Sequence, residues 1–193
     1  MKFSYMLYTG VVIFYSEIPE RFLPFVRKGQ KSKGAPQDLP SLDKMSPSER
    51  TLCRWFLGDN KHRDATLKII PVIAKGPAIV KSTVPYKPAI IGKVLPIDYI
   101  YQPADTKLGL SEYFEIDLDI TASSVAKRIL SVVYSNTKSV TFDLGFVIEG
   151  QANDELPEQM LLSGRIHGLD PQYCPNYPSE LDSSSESGNP GKE

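Results

Sequence analysis

The sequence predicts an α+β fold: a single domain with a curved antiparallel β-sheet and two main helices packed on it. Three observations carry this. Tyr113 to Ile120 alternates strictly, with Phe114, Ile116, Leu118 and Ile120 on one side and Glu115, Asp117 and Asp119 on the other. Ser46 to Gly58 and Ser124 to Ser135 show helical spacing of their apolar residues. Several further alternating or apolar runs, separated by Pro- and Gly-containing turns, supply the remaining strands.

Taken in order, Tyr5 to Ser16 reads as one mostly buried strand, closed by Ile18-Pro19-Glu20. Residues 1–27 form this N-terminal strand and its connection. Residues 28–45 form a polar and basic loop that continues the positive charge of Arg27, with Lys28, Lys31 and Lys33 among Gly29, Gly34, Pro36 and Pro40. A solvated basic loop is the plain reading, and contact with an anionic partner is the alternative. A helix starts at Ser46, a good N-cap followed by Pro47, and Glu49 completes a capping box. Leu52, Trp55 and Phe56 share its apolar face, and Gly58 stops it. Trp55 reads as a core aromatic, with a place in a ligand pocket as the alternative.

Leu67 to Val84 reads as extended, broken at Pro71 and at Gly76-Pro77. Val84 to Pro88 then looks like the turn of a hairpin whose second strand is Ala89 to Tyr101. Lysines recur through it, at Lys68, Lys75, Lys81, Lys87 and Lys93. Gln102 to Ser111 is a polar loop before the acidic strand. After the Ser124 helix, Val140 to Glu149 and Met160 to His167 read as strands. Residues 46–170 make up the folded domain, and 171–193, rich in Ser, Pro, Glu and Gly, read as a disordered tail.

Composition narrows the function. The chain has 193 residues, 41% of them hydrophobic, enough for a core without staples. A net charge of −1 provides no global field for nucleic acid, so a nucleic-acid partner is not expected. Cys53 and Cys174 lie far apart, and His62 and His167 are the only histidines, so neither a disulfide framework nor a multi-histidine metal site is expected. No apolar run approaches the ~20 residues of a membrane span. Phosphate-binding loops, nucleophile elbows and His-Glu-x-x-His are all lacking. Neither a catalytic residue nor a cofactor is therefore assigned. Glu115, Asp117 and Asp119, about 7 Å apart in line, are the one candidate ion site, but a flat row converges poorly on a single cation. The competing reading is a ladder in which they face lysines of the preceding hairpin or Arg165.

The stretch Thr51 to Asp170 resembles the C-terminal domain of the plant enhanced-disease-resistance protein family. The resemblance rests on Trp55-Phe56-Leu57-Gly58-Asp59, Leu67-Lys68-Ile69-Ile70-Pro71, Gly76-Pro77 with Val80-Lys81, and Lys87 to Lys93. It continues through Tyr113 to Ile120, Ser123 to Ala126, Phe142-Asp143-Leu144, Ile148-Glu149 and Glu155-Leu156-Pro157-Glu158, in that order. Members often carry pleckstrin-homology and START lipid-binding domains ahead of this module, which usually begins further upstream, so the resemblance implies a shortened N-terminal part here. It implies a noncatalytic lipid- or membrane-associated module in defence or stress signalling, cytoplasmic with peripheral membrane association. The expected partner is a lipid or anionic membrane surface, contacted through Lys75, Lys81, Lys87 and Lys93. A protein-interaction module with a protein partner and no ligand is the alternative, and a metal-dependent enzyme using the acidic strand is the third reading.

Overall fold

The alternating acidic segment folds as the strand on which the first sheet is built. In the computed structural model, which describes residues 2–7 and 10–170, this strand is β6 (Tyr113–Leu118). Phe114, Ile116 and Leu118 are buried along its inner face, as their period of two requires. β5 (Ile97–Gln102) pairs with it antiparallel, from Ile97↔Leu118 to Gln102↔Tyr113. On its other side lies β1 (Lys2–Leu7), parallel, from Lys2↔Glu115 to Tyr5↔Leu118. β2 (Gly10–Tyr15) completes the order β2-β1-β6-β5. The single strand expected over Tyr5 to Ser16 is thus a hairpin of two, pairing from Leu7↔Gly10 outward. The parallel pair is a departure from an all-antiparallel sheet. Its partners are more than a hundred residues apart, a distance over which local patterning is silent.

A second sheet holds β4-β3-β7-β8, antiparallel throughout. Its members are β3 (Leu67–Lys75), β4 (Ala89–Ile90), β7 (Thr141–Ile148) and β8 (Met160–His167). Pro71 does not break β3. It faces Leu144 of β7, and it lies beyond Lys68 and Ile69, the two residues that β4 covers. A residue without an N–H is tolerated where one edge of a strand is open. The expected hairpin is replaced by a different path. After Gly76-Pro77 the chain forms a short helix, α4 (Ala78–Thr83), and only then returns as β4. The stretch Ala89 to Tyr101 is not one strand: a 3-10 turn over Ile91–Lys93 ends β4, and β5 belongs to the other sheet.

Three helices lie on the main core: α1 (Leu23–Gly29), α2 (Pro47–Leu57) and α3 (Asn60–Thr66). α2 begins as its sequence demands. The Glu49 amide donates to Ser46 Oγ, and the Ser46 amide donates to a Glu49 carboxylate oxygen at 2.9 Å. Trp55 and Phe56 point inward and meet Phe114 of β6 edge to face, with ring centroids 5.6–6.0 Å apart. Phe22, Phe25 and Val26 from the α1 region, Leu67 of β3 and Phe146 and Ile148 of β7 complete one core between the two sheets and the helices. Gly164 of β8 leaves room for Phe14 of β2, whose ring would lie 2.4 Å from any Cβ placed there. The two sheets therefore meet in direct contact.

The other amphipathic helix, α5 (Ser124–Tyr134), has no fully buried residue. It was expected over the main apolar face of the sheet. Instead α2 and the opposing sheet occupy that place, and α5 joins α4 over a smaller cluster. There Ile129, Val132 and Val133 pack on Ile73, Val80, Val84 and Val140. The protein is a single α+β domain with open sheets. The tail expected over 171–193 lies outside the described residues.

Candidate functional site

The four lysines singled out from the sequence all lie between the end of β3 and the turn that follows β4, and all four are exposed. Lys75 ends β3 opposite Thr141. Lys81 sits on α4, whose neighbouring Val80 and Val84 are buried. Lys87 precedes β4, and Lys93 closes the 3-10 turn that presses on α3, where a Cβ at Gly92 would meet Asp64 at 2.5 Å. Among the described residues none of the four is ion-paired. The nine residues of β3 separate its ends by on the order of 25 Å. The structure thus distributes the lysines over four successive pieces of the chain: the end of β3, α4, the loop before β4 and the turn after it.

Sequence reasoning missed the apolar residues between them. Ile79, Tyr86 and Val94 are 60%, 53% and 57% exposed, each beside or close to one of the lysines in sequence. The Tyr86 hydroxyl donates to the Ile73 carbonyl at 3.2 Å, which ties the loop before β4 to the end of β3. The signal was present as the pairs Tyr86-Lys87 and Lys93-Val94, but the first falls in the expected hairpin turn and the second in its expected second strand. Such a strip of ammonium groups and half-exposed apolar side chains can meet anionic headgroups and the boundary beneath them.

The acidic strand has a different environment from the ladder expected of it. Glu115 is buried, with Ile100 of β5 and Lys2 of β1 as its register partners. Asp117 stands between Ser4 and Asp98. Lys75, Lys81, Lys87 and Lys93 are not its neighbours, and Arg165 is taken by Asp143 at 2.6 and 2.7 Å. Asp119 instead closes a turn, accepting from the Thr121 amide and hydroxyl, and these bonds hold its carboxyl below the usual range. Among the described residues no three Asp, Glu, His or Cys side chains come together as a metal site.

Trp55 is fully buried among Phe56, Tyr99 and Phe114, the place of a core aromatic. Beside it lies a group whose burial the sequence did not announce, Arg63. Its guanidinium donates to the Trp55 and Phe56 carbonyls near the end of α2 and to Asn60 Oδ1, at 3.3, 2.8 and 2.9 Å. It also lies 5.4–5.8 Å from the ring centres of Trp55, Tyr99 and Phe114. Burial lowers its basicity, while its bonds to helix carbonyls make it a C-terminal clasp for α2.

Three carboxylates outside the acidic strand also serve the frame. Glu155 accepts from Arg54 of α2 at 2.6 Å and from the Gln151 amide at 2.6 Å. Glu158 holds Lys68 of β3 at 2.8 Å. Glu112 takes Arg27 and the Tyr101 hydroxyl, which fastens the loop before β6 to α1. Surface depressions among the described residues include two of note. One of about 400 Å3 lies at the end of α5 between Tyr134, Lys138 and Asp170, and one of about 210 Å3 lies between Phe22, Leu52 and Leu161. Both open to solvent, and neither includes Trp55. No described helix is long and apolar enough to cross a membrane.

The chain is similar to known proteins in sequence. Residues 6–170 match the family described as "Protein ENHANCED DISEASE RESISTANCE 2, C-terminal". A relative from Arabidopsis thaliana, "Protein ENHANCED DISEASE RESISTANCE 2-like", is 32% identical over 129 residues, which is 66% of this chain. The matched stretch spans 17% of that relative's length. No solved structure matches the chain. With a match running from β1 to the end of the described domain, the chain belongs to the family of enhanced-disease-resistance C-terminal domains.

Proposed function

We propose that this domain is a noncatalytic module that docks on anionic membrane surfaces, in the setting of defence or stress signalling that the family's name suggests. One observation carries the reading. Lys75, Lys81, Lys87 and Lys93 are exposed and without ion-pair partners among the described residues, and Ile79, Tyr86 and Val94 are exposed beside or close to them in sequence. The family is not a known enzyme family, which agrees with a noncatalytic role. Surface docking is favoured over a lipid pocket because both depressions described above open to solvent and neither includes Trp55.

Each lysine near an anionic surface contributes about 1 kcal/mol, so reversing two of them costs well over tenfold in affinity. The test is co-sedimentation of the full chain with phosphatidylserine-containing vesicles. Binding should be strong at about 0.05 M salt, weak at about 0.5 M, and lost in Lys81→Glu/Lys87→Glu. Equal binding to phosphatidylcholine vesicles, or indifference to the double substitution, sinks the reading.

A second reading, a protein-interaction module without ligand, has its own observation. The loop Asp105 to Leu110 is held by reciprocal backbone bonds of 2.9 and 3.0 Å and by Asp105 Oδ1 accepting from the Lys107 and Leu108 amides. That ordered loop presents Leu108 and Leu110 to solvent. A protein partner lost on Leu108→Ser, with vesicle binding absent throughout, would favour it.

A further inference from the structure

α5 sorts its residues by side. At about 100° per residue, Val125, Ala126, Ile129, Leu130, Val132 and Val133 share one side of roughly 160°. Ser124 and Ser131 mark the opposite side, and Lys127 and Arg128 stand at its two borders. A helix lying in a bilayer interface has this layout, with long basic stems running along the apolar side and lifting their charges to the phosphates. From Ile120 to Phe142 the chain has no Asp or Glu, against Lys127, Arg128 and Lys138. Lys138 is held by Asp170 at 2.8 Å, while Lys127 and Arg128 are exposed.

The domain covers only part of the apolar side. Ile129, Val132 and Val133 pack on the small cluster of Ile73, Val80, Val84 and Val140, and no residue of the helix is fully buried. Val125, in the first turn, is 66% exposed although it belongs to the same side. Arg128 lies three residues on and is therefore its neighbour on the helix surface. α4, which shares the cluster, leaves Ile79 60% exposed two residues from Lys81. The Ser123 hydroxyl accepts from the Ala126 amide at 3.3 Å, so the first turn is already capped.

We infer that α5 is the part of the domain that enters an anionic leaflet. With the helix still seated on its cluster, Val125 and the first turn pass into the headgroup boundary, and Lys127 and Arg128 pair with lipid phosphates. This role rests on the membrane reading above: the lysines between β3 and β5 draw the domain to the surface, and α5 supplies the apolar contact. Salt screens the first contribution and not the burial of Val125, so the two are separable.

The test uses the full chain with Cys174→Ser. Cys53 is buried and its thiol is pushed up to about 12 by that burial, so an introduced cysteine is the one that reacts. An environment-sensitive fluorophore on Val125→Cys should shift to the blue on phosphatidylserine vesicles and be quenched by lipids spin-labelled near the headgroup. The same fluorophore on Lys61→Cys, an exposed position of α3, should stay in water. Unlabelled Val125→Ser should weaken vesicle binding about three- to tenfold without altering its dependence on salt, whereas Lys81→Glu/Lys87→Glu alters that dependence. Vesicle-bound chain whose position 125 stays in water, or binding indifferent to Val125→Ser, overturns the role of α5 and leaves surface docking standing. A fluorophore at position 125 that is shielded without vesicles, increasingly with protein concentration, overturns it in favour of a second copy of the chain. Vesicle binding absent from all of these chains overturns the membrane reading and the part of α5 with it.

Discussion

Glu155 is almost wholly buried, yet it is charged and useful. Burial pushes its carboxyl upward, but the Arg54 guanidinium and the Gln151 and Ala152 amides outweigh this and hold it below the usual carboxylate range. Arg54, gripped by Asp154 and Glu155, is raised in turn. A carboxyl depressed in the folded state adds stability that is present above its unfolded value of about 4.3 and fades as pH falls through its lower folded value. Melting temperature measured from pH 7 down to 3 should therefore drop on the acid side. Glu155→Gln should flatten that drop and cost about 2 kcal/mol at neutral pH, because the Arg54 guanidinium and two amides lose a charged acceptor. An unaltered acid limb in the variant would show that another carboxylate governs it. This role was not legible in the sequence. Glu155-Leu156-Pro157-Glu158 falls between the expected strands Val140 to Glu149 and Met160 to His167, and only the fold brings Glu155 against α2 and Glu158 against Lys68, at separations of about a hundred residues.

Elements with strong periodicity were legible in the sequence, and those made by close approach were not. α2, β6, β7 and β8 follow their apolar spacing almost to the residue. α4 was hidden because it has six residues, sits between two prolines and carries β-branched side chains that suit a strand equally. α1 was hidden for a similar reason, since seven residues ending in a glycine hold too few apolar repeats to declare a face. That glycine explains why α1 lies where it does. A Cβ on Gly29 would stand 1.8 Å from the Phe56 carbonyl oxygen, so α1 and the end of α2 touch backbone to backbone. Elsewhere in a helix, replacing glycine with alanine gains about 1 kcal/mol. Gly29→Ala should instead destabilise by roughly 2–4 kcal/mol, because two helices must part. Urea midpoints give the sign at once, and a stabilised variant would contradict the contact.

For the whole molecule, class was easier to read than topology. An α+β domain follows from alternating strands and amphipathic helices, but two sheets and one sheet share those same local patterns. The division is decided at Ile91 to Pro96, where the chain leaves β4 on one sheet and begins β5 on the other. The candidate site was half legible. The lysines were visible as a recurrence, while the exposure of their apolar neighbours required the path of α4.

The parallel pairing of β1 with β6 has a consequence in time. Of the described strands β1 is made before the others, yet the strand beside which it lies is completed over a hundred residues later, after β3, β4 and β5 have been made. Until then the β1–β2 hairpin has nothing to dock on, and an isolated two-stranded hairpin is marginal in water. Long-range pairings of this sort close late and slowly. Pulse-labelling hydrogen exchange during refolding should therefore find the amides of β1 protected after those of β3 and β7, which the local β7–β8 hairpin can nucleate. Simultaneous protection of all strands would argue against this order. On a ribosome, the earliest of these strands to emerge would be among the last to be locked in place.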